Sequence, residues 1–136
     1  MSFLLDTNVL SEARKPAGNP QVRAWLAGTV GSDLYISTLV TGEIRRGAER
    51  LRRRDPAQAA ILDAWLAALR RTYADRLLPV TAEIADMWGI INVPDLLPTI
   101  DGLLAATALV HGLTLVTRNT IDVARSGVRV FNPFGS

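Results

Sequence analysis

Four acidic residues in this chain lie where a short apolar stretch meets a polar local motif. They are Asp6, Glu43, Asp101 and Asp122, and they are far apart in the sequence. If the fold gathers them, they form a carboxylate cluster that is too negative to exist without a cation. A hard divalent ion such as Mg²⁺ prefers ligands that are all oxygen. Such a site suits hydrolysis of a phosphodiester by metal-activated water.

Three of these acids also have a simpler structural explanation. Asp6 directly follows an apolar stretch and could be the N-cap of the helix that comes next. Asp101 and Asp122 could be first-turn acids that interact favourably with a helix dipole. In open α/β sheets, however, ligands bind at the carboxyl ends of the strands, which is where such positions lie.

Glu43 differs from the other three because it is predicted within a helix. Its spacing to Val40 and Gly47 places it beside the apolar face of that helix. A carboxylate near a buried face is costly unless it is paired or binds a metal ion. The alternative is an ion pair with Arg46 or Arg50 on the helix flank.

Polar residues accompany the acids along the chain. They could hold the carboxylates, or waters bound to a metal ion, in place. They could equally act only as caps, because Ser, Thr and Asn gather at helix starts. These residues are Thr7, Asn8, Ser37, Thr117 and Asn119.

Length and composition favour one soluble globular domain over residues 1–136. The chain has 49% hydrophobic and 21% charged residues, which is typical of such domains. It has no cysteine, which excludes disulfides, thiolate zinc sites and cysteine catalysis. The N-terminus lacks a basic region, and no apolar stretch reaches about 18 residues. We therefore expect a cytoplasmic protein that does not associate with a membrane.

The spacing of apolar residues predicts the secondary structure. Short apolar strands alternate with helical patterns, which indicates an α/β fold with a central parallel sheet of about four to five strands flanked by helices. Thr99 is expected to cap the helix that carries Asp101, and Ser37 or Thr38 the helix that carries Glu43. Strands are predicted at 3–5, 34–36, 77–80, 113–116 and 128–131, and helices at 6–14, 20–27, 38–54, 57–73, 81–91, 99–112 and 119–125.

Four short motifs in this chain resemble those of PIN-domain ribonucleases, and more closely those of the VapC-type toxins of bacterial toxin–antitoxin pairs. The C-terminal stretch 128–134 is also similar to that group, so the resemblance covers essentially the whole chain. The chain departs from the family pattern at Val123, where an aromatic residue is frequent, and at Gly42, which is commonly alanine. The motifs are Leu5–Asn8, Ile36–Ser37 with Glu43–Gly47, Asp101–Ala108, and Thr117–Asn119 with Asp122.

The resemblance implies an endoribonuclease that depends on Mg²⁺ or Mn²⁺ and cleaves RNA phosphodiesters. It implies that Asp6, Glu43, Asp101 and Asp122 form the catalytic cluster. The first three of these residues are expected to bind the metal ion directly. The family also implies a homodimer that a small cognate antitoxin protein inhibits.

Charge and apolar surface suggest where these partners bind. The net charge is only +2, but six arginines fall between Arg45 and Arg54. Arg46, Arg50 and Arg53 are expected to contact RNA phosphates, although a charge run can also be a solvated helix face. The predicted helices 57–73 and 81–91 carry more apolar residues than the sheet needs, which suggests dimer and antitoxin faces: Ile61, Leu62, Trp65, Leu66, Leu69, Ile84, Met87 and Trp88.

Two other functions are compatible with an α/β chain of this kind. A phospho-acceptor receiver-like domain also binds Mg²⁺ through carboxylates. It would need two adjacent acids after the first strand and a lysine late in the chain, whereas this chain has Asp6-Thr7-Asn8 and a sole lysine at Lys15. A catalytically silent RNA-binding module is the second alternative.

Overall fold

The computed structural model of the chain describes residues 1–135. Within that range, five parallel strands form one sheet in the order β3-β2-β1-β4-β5. The strands are β1 (Phe3–Leu5), β2 (Leu34–Ser37), β3 (Leu77–Leu78), β4 (Thr114–Val116) and β5 (Val130–Phe131). The predicted fold class is confirmed.

Seven α-helices in the described residues connect and cover these strands. They are α1 (Thr7–Arg14), α2 (Pro20–Ala27), α3 (Thr38–Arg52), α4 (Pro56–Thr72), α5 (Ala82–Ile91), α6 (Thr99–His111) and α7 (Thr120–Val123). Two 3-10 turns, Gly31–Asp33 and Ala124–Ser126, precede β2 and follow α7. None of the helices in residues 1–135 is long and apolar enough to span a lipid bilayer.

The strand β1 lies at the centre of the sheet and runs parallel to both of its neighbours, β2 and β4. Leu4 and Leu5 are fully buried, as expected for a strand covered on both faces. Leu4 aligns with Tyr35 of β2 on one side and with Leu115 of β4 on the other. Because all three strands are parallel, their carboxyl ends meet at one edge of the sheet, which we call the carboxyl edge.

The helix α6 packs closely because most of its buried residues are small. The hydroxyl of Thr107 donates to the carbonyl of Leu103 at 2.7 Å, which satisfies the polar group in the apolar interior, as buried polar groups require. The helix ends at Gly112, whose φ of 67° is left-handed and therefore favours glycine. The predicted cap at Thr99 is wrong, because Pro98 occupies the N-cap position and no side chain caps the helix.

The element boundaries differ from the predicted ones for local reasons. β3 ends before Pro79, which has no amide hydrogen for the ladder. α3 ends at Arg52, because the backbone turns there and the amide of Asp55 donates to the carbonyl of Leu51 at 2.7 Å. The predicted helix 119–125 is shorter, since a 3-10 turn replaces its second half.

The helices α3 and α4 are joined by an ion-pair network that we call the hairpin cluster. Arg45 lies 2.8 Å from Asp63 and 3.3 Å from Glu49. Arg52 lies 2.9 Å from Asp63 and 2.8 Å from Glu49. Two of the six clustered arginines therefore hold the two helices together.

The apolar residues that were predicted as surplus on α4 and α5 divide between the core and the surface. Leu66, Leu69 and Ile84 are buried, whereas Ile61 is 50% exposed. Leu62, Trp65, Met87 and Trp88 are half-buried. Three apolar side chains at the end of α5 and in the loop that follows are more exposed than Ile61: Ile90, Val93 and Leu96.

Candidate active site

Asp6 lies at the carboxyl end of β1 and is only 6% exposed. Its Oδ1 accepts the Thr7 amide at 2.7 Å, so the expected N-cap role is confirmed. Its Oδ2 accepts the Thr117 hydroxyl at 2.7 Å and the Asn8 side-chain amide at 3.3 Å. Burial raises the pKa of Asp6, and the three hydrogen bonds offset part of that rise. The same side chain therefore caps α1 and presents a buried carboxylate at the carboxyl edge.

Thr7 links Asp6 to Glu43, which comes from the second turn of α3. The Thr7 hydroxyl donates to Oε1 of Glu43 at 2.7 Å. Glu43 is half-buried, as its spacing predicts. The alternative ion pair of Glu43 with Arg46 or Arg50 is absent from the residues that the structure describes. A threonine bridge, rather than an arginine, thus holds this carboxylate.

Asp101 lies in the first turn of α6, as predicted. Burial raises its pKa, and the negative charges of Asp6, Asp122 and Glu43 raise it further. The Asn119 side chain acts in the opposite direction. The fold therefore brings all four predicted acids close enough for the other three to act on Asp101.

Asp122 is the exposed member of the group. It lies in α7, which follows β4 after a short turn. Asn119 occupies the N-cap position of this helix but makes no side-chain capping bond. The predicted cap position of Asn119 is therefore confirmed, but its side chain acts on the pKa of Asp101 and does not bond to the helix.

Thr117 connects β4 to the acids. It is 1% exposed, donates its hydroxyl to Asp6, and accepts the Asn119 amide at 3.0 Å. Ser37 is different, because its hydroxyl accepts the amide of Leu39 at 3.0 Å and caps α3. Within the described part of the chain, Ser37 makes no side-chain hydrogen bond to any of the four acids, and its predicted capping role is confirmed.

The donor set at this edge suits a hydrated divalent cation. All candidate ligands are oxygens, which Mg²⁺ and Mn²⁺ prefer. Across residues 1–135, however, no three Asp, Glu or His side chains already converge at metal-ligand spacing, although three carboxylates act electrostatically on Asp101. These findings are compatible, because like charges act on one another at distances longer than those between ligands of one metal ion.

The three arginines expected to bind RNA are all exposed. Arg46 lines a shallow groove together with Glu43, Leu39 and Ile100, so it borders the acids. Arg50 and Arg53 lie seven and ten residues beyond Glu43, which is about 10 and 15 Å along the helix axis. Arg46 is therefore the member of this group that lies beside the candidate site.

Sequence reasoning missed one residue at the carboxyl edge, Arg118. Its backbone amide donates to Oδ1 of Asn8 at 3.4 Å. Its guanidinium carbon lies 3.9 Å from the centroid of the Phe134 ring. The signal in the sequence was a basic residue two positions after a buried strand, between Thr117 and Asn119.

Comparison with known proteins identifies the family. The model of the PIN domain family matches residues 3–125. Toxin FitB of Neisseria gonorrhoeae is 32% identical over 97% of this chain and 98% of its own length. VapC ribonuclease Y4jK of Sinorhizobium fredii is 31% identical over 97% of each chain.

A solved structure supports the same assignment. A chain in the crystal structure of FitAcB from Neisseria gonorrhoeae superimposes with a TM-score of 0.90 at 33% identity, over 98% of this chain and 99% of that one. This agreement over the whole sheet excludes the receiver-like alternative. The chain belongs to the PIN domain family, in the group that includes toxin FitB and the VapC ribonucleases.

Proposed function

We propose that this chain is an endoribonuclease that uses Mg²⁺ or Mn²⁺ and acts as the toxin of a toxin–antitoxin pair. One observation carries the proposal: the carboxylate of Asp101 is half-buried and lies in the field of three other carboxylates. Such an arrangement is unfavourable until a cation neutralises it. Two relatives are named a toxin and a ribonuclease, which supports the activity.

In this proposal Asp6, Glu43 and Asp101 hold the metal ion. A bound divalent ion lowers the pKa of its water and offsets charge that develops on the phosphate. Thr7 keeps Asp6 and Glu43 at a fixed separation because it donates to both, through its amide and its hydroxyl.

The remaining residues orient these carboxylates and the attacking water. Thr117 restrains the second oxygen of Asp6 from the neighbouring strand. Asn119 lies beside Asp101 and favours its ionised form. Asp122 is the exposed carboxylate, and we assign it the role of orienting the attacking water.

Digestion of total RNA by the purified chain tests this function. We expect cleavage with Mg²⁺ or Mn²⁺, no cleavage in excess EDTA, and a loss of at least about 100-fold in Asp6→Asn. Removing residues that only orient metal ligands already costs about 10–100-fold. Asp75→Asn is the matched control, because this aspartate is 83% exposed and, among residues 1–135, forms an ion pair only with Arg76.

Full activity of Asp6→Asn, or of wild type in EDTA, would contradict the metal mechanism. RNA binding by the wild-type chain without any cleavage would instead support the silent RNA-binding module. If the chain does cleave RNA, mapping the cleaved ends would define which RNA it selects.

We also propose a homodimer and a cognate antitoxin protein as partners, and a cytoplasmic location. The relative FitB is named a toxin, and the exposed Ile61, Ile90, Val93 and Leu96 offer apolar surface outside the core. Light scattering at tens of micromolar protein should give twice the mass of one chain. A strictly monomeric chain at that concentration would refute the dimer.

A further inference from the structure

Arg118 follows Thr117, whose hydroxyl binds Asp6, but its guanidinium group pairs with none of the four carboxylates. Among residues 1–135, its guanidinium group takes part in no ion pair and donates no side-chain hydrogen bond. Arg45 and Arg52, by contrast, each contact two carboxylates in the hairpin cluster. An unpaired cation at this edge requires a separate explanation.

The contacts of Arg118 explain how it is kept in place. Its backbone is tied to Asn8 on α1, next to the N-cap Asp6. Its guanidinium group packs on the ring of Phe134, which follows β5 and is itself half-buried against the core. This cation–π contact occupies the face of the guanidinium group. Its N–H donors lie in the plane of the group and stay available to an anion.

Sheet order places Arg118 and Arg46 on different sides of Asp6. Arg46 is on the helix that follows β2, and Arg118 is the second residue after β4. The strand β1, which ends at Asp6, lies between β2 and β4. A nucleic acid strand that crosses the carboxyl edge at Asp6 would therefore meet one arginine on each side of that residue.

We propose that Arg118, positioned by Phe134, binds a backbone phosphate of the RNA strand next to the phosphodiester that is cleaved. This inference rests on the proposed ribonuclease function and assigns a positioning residue to it. The planar fork of arginine matches two oxygens of one phosphate. Such contacts fix the register of a strand without reading its sequence.

Charge supports this assignment. The four carboxylates repel a polyanionic substrate, and a bound divalent ion offsets only part of that repulsion. Arg118 adds a fixed positive charge at the same edge of the sheet. Its position also differs from that of Arg50 and Arg53, which lie farther along α3.

Binding of a fluorescent single-stranded RNA, measured by anisotropy at several salt concentrations, tests the proposal. The Asp6→Asn chain in EDTA keeps the RNA intact. In that background, Arg118→Ala should weaken binding about tenfold or more, as expected for a lost hydrogen bond to a charged group. It should also reduce the slope of log affinity against log salt by about 0.7, the value for one phosphate on a single strand.

Three further variants distinguish a direct contact of Arg118 with a phosphate from a general effect of substitution on the fold. Arg118→Lys should restore the salt slope, because the charge remains. Phe134→Leu should weaken binding while keeping the slope. Arg129→Ala is the matched control, since this arginine precedes β5 and contacts the carbonyl of Gly112 at the opposite edge of the sheet. It should leave both affinity and slope unchanged.

Unchanged affinity and slope in Arg118→Ala, or equal losses in Arg129→Ala, would overturn the inference. An absence of RNA binding by the chain would overturn it as well. Cleavage is measured separately with the wild-type chain and metal. If wild type fails to cleave but Arg118→Ala alters the slope, the proposed function fails and the phosphate contact stands. If wild type cleaves and the slope is unaltered, only the inference about Arg118 fails.

Discussion

The hairpin cluster and the carboxyl edge both gather acidic side chains, but their surroundings differ. In the hairpin cluster, a hydrogen bond from Arg52 is the main cause that lowers the pKa of Asp63 and of Glu49. Arg45 adds to this effect for both acids. Each carboxylate there has a positive partner within about 3 Å, which is typical of surface ion pairs.

At the carboxyl edge the shifts have the opposite sign. Burial is the main cause that raises the pKa of Asp6 and of Asp101, and neighbouring carboxylates raise that of Asp101 further. The groups that lower these pKa values are hydroxyls and amides, which are neutral. Among the described residues, no positive side chain forms an ion pair with the four acids at this edge, whereas each carboxylate of the hairpin cluster has such a partner.

Folding lowers the pKa of the acids in the hairpin cluster and raises the pKa of Asp6 and Asp101 at the carboxyl edge. A perturbed pKa in a group of like charges is a frequent property of functional sites. The hairpin cluster is already neutral overall and needs no ion. If the proposed metal ion binds at the carboxyl edge, this edge should respond to metal in ways that the hairpin cluster does not.

The largest expected difference between the two groups is their response to metal. Mn²⁺ at 100 times its Kd should stabilise the wild-type chain by about 2.7 kcal/mol, because binding to the native state alone shifts unfolding by mass action. Asp101→Asn should lose most of that stabilisation, while Asp63→Asn should keep it. Thermal unfolding with and without Mn²⁺ measures both. An unchanged response in Asp101→Asn would show that the ion binds elsewhere.

The sequence was enough to predict the residues that follow strands. Asp6 and Thr117 come directly after buried apolar strands, and parallel strands place such positions at one edge. Asp101 was predictable because α6 is apolar and small except for its first turn. The sheet and the order of its helices followed from the same alternation of apolar patterns.

Contacts between distant segments were not predictable from these patterns. Which arginines of α3 are paired depends on how α4 presents Asp63, and that is a property of tertiary packing. Arg118 and Phe134 meet only because β5 pairs with β4 and carries the C-terminal segment back to the site. Ser37 fits equally well as a cap or as a neighbour of the acids until its hydrogen bond is known.

A smaller difference between the two groups of acids is how their contribution to stability changes with pH in the absence of metal. An acid whose pKa is raised by folding holds its proton more tightly in the native state than in the unfolded state. Its contribution to stability therefore falls as pH rises from about 4, the ordinary pKa of aspartate, through the raised value. Asp101→Asn removes this loss, so with EDTA the variant should be at least as stable as wild type at pH 7.

Asp63 should behave in the opposite way, because folding lowers its pKa. Its stabilising contribution is present above about pH 4 and is lost as pH falls through the lowered value. Asp63→Asn should therefore be slightly less stable than wild type at pH 7, and the two should converge in acid. The effect should be small and should shrink in high salt, because these side chains are only partly buried and solvent and ions screen their charges. Urea unfolding of both variants and wild type at pH 3, 5 and 7, with EDTA throughout, measures the sign of each change in the free energy of unfolding. Shifts of the same sign for Asp101→Asn and Asp63→Asn at pH 7 would remove the distinction between the two groups of acids.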